Sequence, residues 1–199
     1  MCSHVTPPLF SYSISLDAFL SSKSRGSLHP QVFLAACAAR AAYAHPTILS
    51  SVDSDGHSAA VAKGARLDLR LAIVDATNAQ AAVVLPSAQS MSAASMQAAL
   101  PMLGDPKTAG WSATMYDVQQ QPHMVAELTQ LSHSTPSPSE AGCCVSFGKV
   151  LSHAVPDGSG SVRVSSHVNM TVACNSLLHE EEVSAFVEHI RQQQQFFAA

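Results

Sequence analysis

The side chains best suited to chemistry here are five cysteines and ten histidines, spread through 199 residues. The thiols are Cys2, Cys37, Cys143, Cys144 and Cys174. Two are adjacent, their number is odd, and none forms a CxxC pair. A zinc ribbon or a redox dithiol needs closely spaced thiol pairs, and a disulfide framework needs an even set. Neither condition is met, so the spacing predicts no metal site and points to a reducing compartment. The histidines show no HExxH or HxH spacing. His153 and His167 are the pair that could converge in three dimensions, although ordinary surface or core roles account for them better. Cys174 has no paired histidine or basic neighbour to lower its pKa, so it reads as a buried strand cysteine, not a nucleophile.

Composition narrows the classes. Hydrophobic residues make up 47% of the chain and charged residues only 12%, against roughly 25% charged in an average soluble domain. Such a low charge content fits a surface partly buried against other subunits. An Ala- and Ser-rich proteome explains it equally well. The net charge of −4 is not a nucleic-acid footprint. There is no apolar run of about 18 residues, so no membrane span is predicted. The start, Met1 to Pro8, is neither a basic secretory leader nor an Arg-rich transit peptide. The chain either lacks an N-terminal signal or is a piece of something longer. Lys63, Arg66, Arg70, Lys107 and Lys149 are widely spread and no glycine-rich phosphate cradle occurs, so coenzyme A binding is expected to be weak or absent.

The elements that must position these groups follow from periodicity. Residues 9–16 alternate apolar and polar, as a half-buried strand does. Residues 17–22 can start a helical turn with Asp17 as N-cap. Residues 28–43 form the clearest helix, with Pro30 in its first turn and His45-Pro46 ending it. Strands are predicted over 67–74, 81–85, 111–118, 143–147 and 162–174, the last as one long strand or a pair. Residues 157–160 make a hairpin loop. Helices are predicted over 91–100 and 180–194, the second with acids in its first turn, where the macrodipole favours them. Residues 119–139 read as loop. This order implies one domain over 1–199, an α/β fold with helices packed on a mixed sheet.

Four stretches in order resemble the catalytic domain of dihydrolipoamide acyltransferases, the E2 components of 2-oxo acid dehydrogenase complexes. Residues 5–16 are similar to the family's opening Pro-then-aromatic strand. Residues 28–51 match its first long helix through Pro30-Gln31-Val32-Phe33 and His45-Pro46. Residues 67–84 resemble its central strand pair. Residues 142–191 resemble the segment that ends in the family's D-H-R-x-x-D-G signature. The resemblance implies a fold like that of chloramphenicol acetyltransferase and a homotrimer.

The departures fall on the chemistry. In the family the signature His is the general base that takes a thiol proton. Here the stretch after Cys174 reads Asn175-Ser176-Leu177-Leu178-His179-Glu180-Glu181, and Ser176 holds the place of the His. A serine hydroxyl is no base near neutral pH, and a tuned base contributes about 10²- to 10⁴-fold. Leu177 replaces the Arg, and Glu180 stands at the acid. The family's oxyanion-stabilising serine falls at Tyr116, whose bulk fits an oxyanion hole poorly. His179 occupies a hydrophobic position of the motif and is a weak candidate for rescue.

These changes resemble the family's non-catalytic branch, protein X or dihydrolipoamide dehydrogenase-binding protein. The resemblance implies a catalytically silent scaffold, without cofactor, in the mitochondrial matrix. Its expected partner is the E2 core of the pyruvate dehydrogenase complex. Dihydrolipoamide dehydrogenase would be recruited through lipoyl and binding domains that these residues do not include. An active acyltransferase with an altered base, or another protein of the same fold, are the alternatives. In the family the C-terminal residues form an apolar knob between trimers. Phe196 and Phe197 are expected to serve that way, or to fold back on their own domain.

Overall fold

Alternation writes the edge of the sheet. In strand β1 (Leu9–Ser15) the serines at 11, 13 and 15 are exposed, whereas Ile14 is buried. The computed structural model describes residues 9–22, 26–49, 51–52, 58–59, 67–74, 80–100, 110–117, 143–174 and 178–198. After β1 come helices α1 (Asp17–Ser21) and α2 (Pro30–Ala44), a 3-10 turn (Pro46–Leu49) and a two-residue strand pair, β2 (Ser51–Val52) and β3 (Ser58–Ala59). Strands β4 (Leu67–Val74) and β5 (Gln80–Leu85), a 3-10 turn (Ala88–Ser90), helix α3 (Ala93–Ala98) and strand β6 (Gly110–Asp117) follow. The described chain closes with β7 (Cys143–Pro156), β8 (Val162–Cys174) and α4 (Glu180–Ala198).

The large sheet has six strands in the order β1-β8-β7-β6-β4-β5. The mixed sheet expected from the sequence is antiparallel at every junction. Connection geometry explains the difference. Helices do link strands that run the same way, β1 to β4 and β5 to β6, but other strands lie between the members of each couple. A helical crossover therefore never makes its two strands neighbours, and the parallel ladder that such a crossover usually builds does not form.

Helix α2 is the centre of the helical layer. Pro30 fills its first turn, where a missing N–H costs nothing. Every residue from Gln31 to Ala39, together with Ala41 and Ala42, is buried. The run of alanines makes this possible, since small side chains let neighbouring elements approach from several sides. α2 packs on β4 and β6 and is flanked by α3 and α4. Phe33 stacks on Phe19 of α1 with ring centroids 4.4 Å apart. Helix α4 is amphipathic in the ordinary way. Val183, Phe186, Val187 and Ile190 are buried at helical spacing, and the helix runs through residue 198, beyond the predicted end at 194.

Two other expectations change. Asp17 does not cap α1 with its side chain; Leu16 is the N-cap and no side-chain cap bond forms. Stronger donors across the chain take the carboxylate instead. Asp17 Oδ2 accepts from Ser165 Oγ at 2.7 Å and from Arg163 Nη1 at 2.9 Å, and its Oδ1 accepts from Ser166 N at 2.8 Å. The strand predicted to stop at Phe147 continues to Pro156. Its alternation is interrupted by a bulge that places one extra residue on β7 between Phe147 and Val150, and beyond the bulge most side chains are exposed. Pattern reading loses such a strand because no buried face marks it. Asp157 closes the hairpin by accepting from Ser159 N and Ser161 N, while Gly158 and Gly160 take the positive φ values of 81° and 87°. The predicted loop at 119–139 lies outside the described residues.

The hairpin leaves part of a core face uncovered. On β8, Val168, Met170 and Val172 are buried, whereas Val164 and Val162, on the same face, are 72% and 70% exposed.

Asp17 ties α1 to β8 by three hydrogen bonds, two of them to uncharged donors. The Ser165 hydroxyl, then the Ser166 amide and the Arg163 guanidinium, hold its carboxyl below the usual 3.8, with partial burial opposing them. Asp17→Ala should cost roughly 1 to 3 kcal/mol in urea denaturation at pH 7. Because the folded pKa is depressed, the difference from wild type should be full above pH 3.8 and shrink as the pH falls further. Equal losses at pH 7 and pH 2.5 would show that the carboxylate is not responsible.

Candidate functional site

The strand register brings Tyr116 and Cys174, the residue before 175–177, to one end of the sheet. Tyr116 lies opposite Asp68, one residue beyond Met115. Met115 pairs with Cys143, and Cys143 pairs with Cys174. The end of β6 and the end of β8 are thus two strand spacings apart, about 10 Å. Cys174 is the last residue of β8 and leads directly into residues 175–177. Ser176 and Leu177 lie outside the described residues, and of Tyr116 only the backbone is described.

The chain is described again from Leu178, which is buried. His179 and Glu180 are exposed. His179 is used through its backbone. Its carbonyl accepts from Glu182 N at 3.0 Å, and its N–H donates to Glu182 Oε2 at 3.1 Å. This is the acidic half of a capping box, which satisfies one of the free donors at a helix start. Glu180, Glu181 and Glu182 crowd the first turn of α4, where the helix dipole favours negative charge. Glu180 is thus explained by helix initiation as fully as by any memory of a catalytic acid.

The thiols offer no alternative nucleophile among the described residues. Cys37, Cys143 and Cys144 are buried. Burial pushes the Cys37 thiol up to about 12, with Arg40 opposing only weakly, so almost none of it is thiolate near neutral pH. Of Cys174 the backbone alone is described. His153 and His167 do converge on the β7–β8 hairpin, with ring centroids 5.5 Å apart. No cluster of three or more metal-ligating groups occurs among the described residues.

The far end of α4 is a separate place. Phe196 is sixteen residues beyond Glu180 on one helix, about 24 Å along its axis. Successive residues are about 100° apart around a helix. By register Phe197 falls in line with Val183 and Ile190, and Phe196 falls on another side. The side chains of both lie outside the described residues.

Sequence reasoning missed two polar constellations. One is the set that gathers on Asp17. The other joins His45, at the end of α2, to His189 and Gln193 of α4. His189 and Gln193 stand four apart on a helix, which could have been noticed. Nothing in the sequence ties His189 to His45, 144 positions away.

No family model matches this sequence, and no curated protein does either. Solved structures do. A probable dihydrolipoamide acetyltransferase from Listeria monocytogenes is similar with a TM-score of 0.54 and 12% identity, over 96% of this chain and 86% of that one. The cubic core of a pyruvate dehydrogenase multienzyme complex is similar with a TM-score of 0.57 and 13% identity, over 95% and 82%. The dihydrolipoamide acetyltransferase of Azotobacter vinelandii is similar with a TM-score of 0.56 and 13% identity, also over 95% and 82%. That enzyme was crystallised to define the roles of a serine, a histidine and an asparagine in its catalytic mechanism. At this level of identity the likeness is one of fold. The chain has the fold of the E2 catalytic domain.

Proposed function

We propose that this chain is a catalytically silent core subunit with the E2 fold, of the protein X type, which assembles with the E2 core of a mitochondrial pyruvate dehydrogenase complex. The observation that carries the reading is a pair of substitutions in the sequence. The stretch that should hold a general base offers Ser176, and the strand that should hold an oxyanion-stabilising serine offers Tyr116. In the Azotobacter enzyme the histidine and asparagine singled out for catalysis are four residues apart. Ser176 and Glu180 have the same spacing. On that alignment the two positions survive without their chemical groups.

Acyl transfer from a thioester needs a thiolate, and making one at neutral pH needs a group that accepts a proton. Ser176 cannot accept it. Leu177 cannot form the ion pair that an arginine would make with the following acid. Exposed, backbone-capping His179 is a poor replacement. The fold is thereby left with its scaffolding role.

Trimer formation is part of the proposal. The uncovered Val162 and Val164 continue a face that is buried further along β8, and a second subunit would remove them from water. Burying two valines is worth a few kcal/mol per subunit, roughly 1.5 to 3 for each full burial. The low charge content of the chain agrees with such an interface.

Two measurements check this. In an assay of acetyl transfer between coenzyme A and dihydrolipoamide, the purified chain should show no turnover above background. Ser176→His should not restore the rate of a genuine E2, because Leu177 and Tyr116 remain. Turnover by the wild-type chain at an E2-like rate would contradict the silent reading. In light scattering at micromolar concentration the chain should be trimeric, and Val162→Ser/Val164→Ser should shift it toward monomer while leaving circular dichroism unchanged. A stable wild-type monomer would count against the trimer.

A further inference from the structure

The end of α2 and the second half of α4 are joined by a chain of three polar side chains. His45 is the C-cap of α2. Its Nε2 lies 3.2 Å from Nδ1 of His189, with the rings nearly perpendicular at 88°. Nε2 of His189 lies 3.1 Å from the Gln193 amide nitrogen. All three residues are half-buried.

One proton lies between the facing nitrogens of His45 and His189, whichever ring supplies it, and the Gln193 amide can turn either its NH2 or its oxygen to His189 Nε2. With a proton on both facing nitrogens, N–H would be set against N–H and two imidazolium charges would be in contact. The arrangement therefore does not survive protonation of both rings.

We infer that His45, His189 and Gln193 form an acid-sensitive latch that holds the second half of α4 to the end of α2 and releases it in mildly acidic solution. The inference does not depend on the functional reading. Burial first, and the neighbouring His189 second, lower the pKa of His45 from its ordinary 6.5. The free chain therefore binds the proton more readily than the latched one. The latch is at full strength above pH 6.5 and weakens as the pH falls.

Neighbouring charges offer no relief among the described residues. On α4, Glu188 is bonded to Arg191, which also reaches the carbonyl of Ser13, and Glu180, Glu181 and Glu182 stand seven to nine residues before His189. On α2, the Arg40 guanidinium is turned to the Met91 carbonyl, and Tyr43 is exposed. The 3-10 turn at Pro46–Leu49, which also packs on α4, carries no charged side chain. The acid of α1 that packs on α4 is Asp17, and it is engaged by Arg163, Ser165 and Ser166. No carboxylate is thus placed to stabilise an imidazolium.

The test is hydrogen exchange of the amides of residues 189–198, corrected for the intrinsic pH dependence of exchange, compared at pH 7.5 and pH 5.5. Wild-type protein should lose protection in this segment at the lower pH, while the β7–β8 amides stay protected. His45→Gln and His189→Asn should each reduce the pH-dependent difference, and the double variant should abolish it. A double variant that keeps the wild-type difference would overturn the latch. A second measurement needs no variant: in NMR titration of the wild-type imidazoles, His45 should titrate below 6.5. If His45 titrates at or above that value, the latch is refuted.

Discussion

β7 and β8 pair from Cys143–Cys174 at one end to Pro156–Val162 at the other, and most of the sheet is arranged around that ladder. β1 pairs with the outer edge of β8, and β6 pairs with the other edge of β7. Val145, Phe147, Val168, Met170 and Val172 project from the two strands into the core. If one strand slipped by one residue against the other, all of its inward side chains would turn to the opposite face. The bulge between Phe147 and Val150 makes the register unambiguous, because the extra residue on β7 fits at one place only.

The same ladder sets Tyr116 and Cys174 at one end of the sheet. Residue 174 ends β8 where β7 begins, and β6 ends beside it. The residues that fix this geometry are buried and apolar. On the proposed reading, transfer would fall to the positions of Tyr116 and Ser176 instead. A chain can therefore exchange a general base for serine without disturbing what holds its sheet together. Under the proposal, that separation is how an acyltransferase fold comes to serve as scaffold.

Much of the fold was legible because its elements obey simple periods. β1, β4 and α2 follow from alternation or from an Ala-rich apolar run closed by His45-Pro46, and the structure finds each within two residues of its expected ends. What could not be read has physical causes. The outer half of β7 has no buried face, so its sequence lacks a strand signature. Antiparallel order depends on which strands become neighbours, a property of topology that periodicity does not encode. Asp17 looked like a cap because Asp often is one; donors nearly 150 residues away claimed it. Of the proposed site, Tyr116 is located by its backbone near the end of β6, and its side chain and residues 175–177 lie outside the described residues. The fold agrees with the family resemblance, and the silent role still rests on the identity of the substituted residues.

The central claim is that this chain joins an E2 assembly as a structural member. Co-sedimentation addresses it most directly. The purified chain is mixed with an E2 core of the pyruvate dehydrogenase complex, and the pelleted core is assayed for both components. The account predicts that the chain pellets with the core at a fixed, saturable stoichiometry, and that deleting residues 196–199 reduces the bound fraction while leaving the chain folded. A folded wild-type chain that stays wholly in the supernatant would contradict it.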